Sequence, residues 1–76
     1  MTHTFTWTEP YYGVQHIDGL PKALGAQIDV QDYGHYAVVT LLRPRQSFTP
    51  VREHICGTCD AARQLGEQWA RLEMGT

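Results

Sequence analysis

Two cysteines and a nearby histidine are the residues of this sequence best spaced for chemistry. Cys56 and Cys59 enclose two residues, and His54 lies two positions before Cys56. Thiolate sulfur and imidazole nitrogen are preferred zinc ligands, and a bound metal would stabilise a domain this small. His54, Cys56 and Cys59 are therefore candidate zinc ligands, with zinc the one cofactor that the sequence leaves open. A fourth ligand would have to come from the remaining histidines, which are His3, His16 and His35.

Two other interpretations of the cysteine pair remain open. A redox dithiol requires a thiol at a helix N-terminus, where the helix dipole lowers the thiol pKa, and a predicted helix begins at Cys59. The thioredoxin-like pattern, in which the motif follows a strand of a βαβ unit, does not occur here. We expect instead that Cys56 packs into the core as a small apolar residue and that Cys59 occupies the first helical turn.

Other motifs for catalysis are missing from the sequence. It has no nucleophile elbow, no phosphate-binding glycine loop and no HExxH helix. The carboxylates of the predicted sheet are scattered, which is typical of solvated turns and strand faces rather than of a general acid–base pair. They belong to Glu9, Asp18, Asp29 and Asp32. We therefore predict that the protein is not an enzyme.

Arginine and tyrosine side chains point to binding. Guanidinium groups and aromatic rings are frequent anchors of protein interfaces, and arginine also binds phosphate. Residues 41–55 are net basic whereas residues 1–40 are net acidic, so an arginine-bearing loop over 43–52 could hold phosphate or an acidic protein surface. An ordinary solubilising loop is the alternative. The predicted partner contacts are Tyr11, Tyr12, Tyr33, Arg43, Arg45, Phe48 and Arg52.

Alternating polar and apolar residues predict the strands that position these side chains. Residues 2–8 alternate as in a half-buried strand, and residues 11–17 resume an extended path after Pro10. Residues 26–31 and 36–42 form a predicted hairpin. A loop at 43–49 and a short strand at 51–56 complete the predicted sheet.

The end of the sequence changes to a helical period. Its apolar residues recur at steps of three and four, and Thr58 is a suitable N-cap while Gly75 can close the C-terminus. The apolar positions are Ala62, Leu65, Trp69 and Leu72. We predict an α+β fold with a three- to four-stranded antiparallel sheet over about residues 2–56 and one C-terminal amphipathic helix over about 58–74, packed on one face of the sheet.

Length and composition limit the classes of protein that fit. The chain of 76 residues suggests one domain over 1–76, and a net charge of −2 is too small for a general nucleic-acid or membrane binder. With 42% hydrophobic and 18% charged residues, the sequence lies outside the range of disordered chains. It has no signal peptide or apolar span, and two cysteines are too few for a secreted disulfide framework. These features favour the cytoplasm and no membrane partner.

Strands followed by a final helix, here reading from Thr58-Cys59-Asp60-Ala61-Ala62 to Gln68-Trp69-Ala70, resemble small accessory proteins of bacteriophages. These include anti-CRISPR proteins and inhibitors of host RNA polymerase, and the resemblance covers most of the chain in architecture. It implies a non-enzymatic inhibitor in the host cytoplasm that covers a functional surface of a nucleoprotein or transcription complex. The sequence itself leaves open a monomer or a homodimer, and it allows direct nucleic-acid binding without favouring it.

Overall fold

A meandering sheet of five strands forms most of the molecule, and the computed structural model describes residues 5–75, apart from the side chain of Phe48. Each strand pairs antiparallel with the next along the chain, in the order β1-β2-β3-β4-β5. This confirms the predicted α+β class, but the sheet has five strands instead of the three to four that the sequence predicts. The elements are β1 (Thr6–Trp7), β2 (Val14–Asp18), a 3₁₀ turn (Lys22–Leu24), β3 (Gln27–Asp32), β4 (Ala37–Arg43), β5 (Ser47–Cys56) and α1 (Cys59–Glu73).

The additional strand arises from a tight turn at Tyr12 and Gly13. Both residues have positive φ, 52° and 76°, as the two central residues of a type I′ hairpin turn require. Tyr11 and Val14 close the turn with two backbone hydrogen bonds of 3.0 Å. The chain therefore reverses between β1 and β2, where the sequence suggested a continued extended path.

The last strand is also longer than predicted. The expected loop at 43–49 is reduced to residues 44–46, and β5 begins at Ser47. A register shift between Leu41 and Arg43 accommodates the extra residues of β5. Pro50 lies inside this strand, which an edge strand tolerates because one side of its backbone has no partner strand.

Helix α1 begins and ends with the caps that its sequence indicates. The Thr58 hydroxyl accepts a hydrogen bond of 3.1 Å from the Ala61 backbone N–H, which satisfies one free donor of the first turn. At the other end Gly75 has a φ of 77° and donates to the Leu72 carbonyl at 3.1 Å.

The core lies between α1 and one face of the sheet. The sheet contributes buried aliphatic side chains, and the helix contributes small residues that let it approach closely. At Gly66 an added Cβ would lie 2.9 Å from Trp7 Cη2 and 3.1 Å from Ile28 Cγ2, so only glycine fits at this contact. The core residues are Phe5, Ile17, Ile28, Val30, Ala37, Val39, Leu41, Ala62, Trp69 and Ala70.

Alternation along the strands separates two faces of the sheet. We call the side that packs against α1 the helix face and the opposite side the open face. In β4 the buried residues Ala37, Val39 and Leu41 lie on the helix face, so Val38, Thr40 and Leu42 lie on the open face. Helix α1 packs mainly against β3, β4 and β5. No helix within residues 5–75 is long and apolar enough to cross a bilayer.

Candidate interaction surface

Four tyrosines gather at one end of the sheet. Tyr11 and Tyr12 lie in the connection between β1 and β2, and Tyr33 and Tyr36 lie in the connection between β3 and β4. Because β1 and β3 run in the same direction in this antiparallel sheet, both connections lie at the same end. We call these four residues the tyrosine end.

Their rings form two pairs and remain accessible. The ring centroids of Tyr11 and Tyr12 are 4.5 Å apart in an edge-to-face arrangement, and those of Tyr33 and Tyr36 are 5.0 Å apart and stacked. Both arrangements are favourable for aromatic rings. Tyr11 is 74% exposed and Tyr12 is 87% exposed, so neither contributes much to the core. The tyrosine end thus presents two pairs of aromatic rings to the outside.

Backbone hydrogen bonds link the β1–β2 connection to the end of β3 and close the β3–β4 connection. The Asp32 N–H donates to the Gly13 carbonyl at 2.9 Å, and the Tyr33 N–H donates to the Tyr36 carbonyl at 2.9 Å. The Asp32 carboxylate accepts from the Gly34 N–H at 2.8 Å, which closes the turn locally. This hydrogen bond, with that from the Cys59 thiol, holds the pKa of Asp32 below its ordinary value.

A largely apolar row on the open face, interrupted by Gln31, adjoins the tyrosine end. The strand register aligns Val14, Gln31, Val38 and Ile55 across β2 to β5. Val14 directly follows the Tyr12-Gly13 turn, and Val38 lies two residues after Tyr36. Ile55 is 66% exposed although it is a large aliphatic residue in a strand. We call the tyrosine end together with this row the docking surface.

A polar row borders the docking surface one step further down the sheet. It runs through His16, Asp29, Thr40 and Glu53. His16 Nδ1 lies 2.6 Å from Asp29 Oδ1, and the Gln27 side-chain amide donates to the same carboxylate at 3.1 and 3.2 Å. This dyad orients an imidazole on the open face, and no cavity is detected beside it among the described residues. An apolar centre with a polar border is the usual anatomy of a protein interface.

The predicted partner contacts are divided between two ends of the molecule. Tyr11, Tyr12 and Tyr33 lie together at the tyrosine end, whereas Arg45 lies in the turn between β4 and β5, at the opposite end. Phe48 lies in β5, but its side chain is outside the described part of the structure.

The arginines do not form one loop, because two of them belong to strands and are engaged within the protein. Arg43 forms an ion pair with Glu73 and also donates to the Leu24 carbonyl at 3.5 Å. The Arg52 guanidinium lies 5.4 Å from the Trp69 ring centroid, in a cation–π contact on the helix face. Only Arg45 of the three is without such a contact, so a shared phosphate site is not assembled within residues 5–75.

The two cysteines lie at the junction of β5 and α1 as free thiols, partly buried against the core. Burial raises the pKa of Cys59, and so do its hydrogen bond to the Asp32 carboxylate and the charge of that carboxylate. These effects oppose the lowering that a redox thiol at a helix N-terminus needs. Among the described residues, His54, Cys56 and Cys59 do not form a metal-binding group. His3 lies outside the described residues.

Sequence reasoning missed three parts of this surface. The sequence predicts Tyr36 within a strand, whereas its stacking on Tyr33 depends on the hairpin geometry. Nothing in the sequence distinguishes Val38 and Ile55 from other strand residues, although their register places them side by side on the open face. Hydrophobic residues on both faces of β4 were the available indication, because the helix can cover only one of those faces.

Comparison with known proteins adds no relative: no protein-family model, curated protein or solved structure matches this chain.

Proposed function

We propose that this protein acts by binding another macromolecule through the docking surface and is not an enzyme. The observation that carries the proposal is the set of four exposed tyrosines, arranged as two ring pairs at one end of the sheet. Tyrosine supplies a large, amphipathic contact area at a low cost in side-chain entropy, and it is enriched at interface cores and in antibody combining sites.

The position of Tyr12 supports a role outside folding. It is a non-glycine residue with a φ of 52° whose side chain is almost fully exposed. Positive φ costs a residue with a Cβ free energy, which asparagine or glycine at the same position would reduce. A large aromatic residue in such a place is best explained by contact with a partner.

The extent of the surface suits a protein partner. The molecule is a flat disc with Cα extents of 33 × 31 × 20 Å. A face of this size accommodates the ~800 Å² per partner that a standard interface buries. The partner class that the sequence suggests, a host nucleoprotein or transcription complex covered by an inhibitor, is part of this proposal.

The proposal is tested by capture from a bacterial lysate followed by binding measurements on the purified partner. The tagged wild-type protein is expected to retain one dominant complex. Tyr11→Ala combined with Tyr12→Ala is expected to weaken its binding by at least about ten-fold, because central aromatic contacts usually carry most of the binding free energy. Circular dichroism of the variant is expected to match the wild type.

Arg45→Ala provides the matched control, since it removes an exposed side chain from the opposite end of the molecule. It is expected to leave binding unchanged. Loss of binding in Arg45→Ala with full binding in the tyrosine variant would contradict the proposal and would favour the basic end of the molecule as the binding site.

A further inference from the structure

Charge is divided unequally between the two sides of the molecule. The open face carries the carboxylates of Asp18, Asp29 and Glu53, and Glu9 lies in the connection that bears Tyr11 and Tyr12. None of the described arginines or lysines lies on that face. They lie on the helix face, on α1 or in connections at the end opposite the tyrosines: Lys22, Arg43, Arg45, Arg52, Arg63 and Arg71.

The carboxylates of the two sides also differ in their partners. On α1, three acidic residues form ion pairs with arginines: Asp60 with Arg63, Glu67 with Arg71 and Glu73 with Arg43. On the other side, the described partners of the Asp29 carboxylate are the side chains of His16 and Gln27. Glu9, Asp18 and Glu53 make no side-chain hydrogen bond or ion pair within residues 5–75. The carboxylates of the open face, and that of Glu9, therefore have no arginine or lysine partner among the described residues.

The chemistry of the docking surface matches one kind of occupant. Tyrosine ring faces attract cations, and exposed carboxylates accept charge-assisted hydrogen bonds from guanidinium and ammonium groups. The row through Val14, Val38 and Ile55 can contact the aliphatic stems of long basic side chains. A phosphate backbone would instead be repelled by the same carboxylates.

We propose that the docking surface receives a protein surface rich in arginine and lysine. This inference rests on the proposed function and names the chemistry of its partner. Surfaces with which proteins bind nucleic acid have this composition. A small protein bound to such a surface would compete with nucleic acid for the same arginine and lysine side chains.

The first test uses a short peptide of alternating arginine and glycine as the probe. A peptide with citrulline in place of arginine is the neutral counterpart, and a short DNA duplex is the polyanionic one. Amide chemical shifts of the protein are followed by NMR during each titration. The arginine peptide is expected to shift residues of the tyrosine end and the open face, with an affinity that falls as salt is raised. The citrulline peptide and the DNA duplex are expected to leave the amide chemical shifts of both regions unchanged.

Two variants that each remove one exposed carboxylate provide the matched comparison. Glu53→Gln acts on the open face, and Asp60→Asn acts at the start of α1. We expect Glu53→Gln to weaken the affinity for the arginine peptide by about two- to five-fold, which is the range for one exposed ion pair. Asp60→Asn is expected to leave the affinity unchanged.

Peptide shifts confined to α1 or to the helix face would overturn the inference, and so would equal binding of the citrulline peptide or binding of the duplex to the open face.

Failure here is distinguishable from failure of the proposed function. If the tyrosine variant loses a captured partner while the arginine peptide does not bind, the docking surface stands and only its cationic partner is wrong. If the tyrosine variant keeps the partner, the docking surface itself is wrong.

Discussion

At the Cys59 thiol, burial and a neighbouring carboxylate act on the pKa in the same direction. A helix N-terminus alone would favour the thiolate, but the carboxylate of Asp32 accepts the thiol hydrogen and places negative charge beside the sulfur. Burial raises the pKa of Cys59, and the hydrogen bond and charge of Asp32 raise it further. At Cys59 these effects oppose the lowering that a redox thiol needs.

Replacing Asp32 tests this explanation. Asp32→Asn keeps the side-chain oxygen that accepts from the Gly34 N–H but removes the charge next to Cys59. We expect the pKa of Cys59 to fall, so that the pH profile of its alkylation by iodoacetamide moves to lower pH. The rate is measured over a pH series in a Cys56→Ser background, so that only Cys59 reacts. An unchanged profile, or one moved to higher pH, would show that Asp32 does not control the thiol.

Tyr12 offers a second test at the scale of one residue, because its backbone and its side chain have separable roles. Asparagine tolerates positive φ better than tyrosine, and the exposed ring contributes little to the core. We expect Tyr12→Asn to change the free energy of unfolding by less than about 0.5 kcal/mol, as exposed substitutions usually do. Binding of the partner is expected to weaken. Urea unfolding and a binding titration of the same sample separate the two effects, and a stable variant with full binding would remove Tyr12 from the docking surface.

At the scale of elements, the strands were more predictable than their connections. Alternation of Ile28 and Val30 with polar neighbours indicated β3 directly, because a half-buried strand requires that period. The turn at Tyr12 was not predictable, since tyrosine is rarely found at positive φ. The sequence predicts a loop over 43–49, yet β5 begins at Ser47 and, as an edge strand, accommodates Pro50.

The buried side of the helix was predicted only in part. Ala62 and Trp69 are buried as expected, but Leu72 is exposed, and Gly66 and Ala70 are buried in its place. Hydrophobicity favours leucine at the core, whereas close packing on the sheet favours small residues, and at this contact the close packing decides. Likewise, exposed tyrosines could be expected from composition, but their gathering at one end depends on a strand order that the sequence did not specify.

Gly66 therefore makes a specific prediction for the contact between helix and sheet. Alanine would gain about 1 kcal/mol from helix propensity, but its Cβ would meet Trp7 and Ile28 at distances shorter than normal contact. Overpacking of a core costs about 1–3 kcal/mol. We expect Gly66→Ala to lower the free energy of unfolding by about 1 kcal/mol, which corresponds to about 4–8 °C in Tm for a domain of this size.

Gln68→Ala is the control for this change, because it is an exposed position on the same helix. It is expected to leave Tm almost unchanged or to raise it slightly. If Gly66→Ala stabilises the protein as Gln68→Ala does, the close approach between α1 and Trp7 is wrong.

At the scale of the whole molecule, the two sides of the sheet differ in composition. The helix face holds the core. An arginine ion pair links α1 to the sheet there, and another joins successive turns of α1. The open face holds an apolar row, exposed tyrosines beside it and carboxylates without arginine or lysine partners among the described residues. Folding needs the first side, and we infer that binding uses the second.

The most direct test of this division is site-specific photo-crosslinking. Benzoylphenylalanine is placed at Tyr12 or Ile55 on the docking surface, and at Gln64 on the exposed side of α1 as the control. After irradiation in a bacterial lysate, we predict one major crosslinked product, of the same partner, from positions 12 and 55 and none from position 64. Crosslinking from position 64 alone would place the partner on the helix and contradict the assignment of the docking surface.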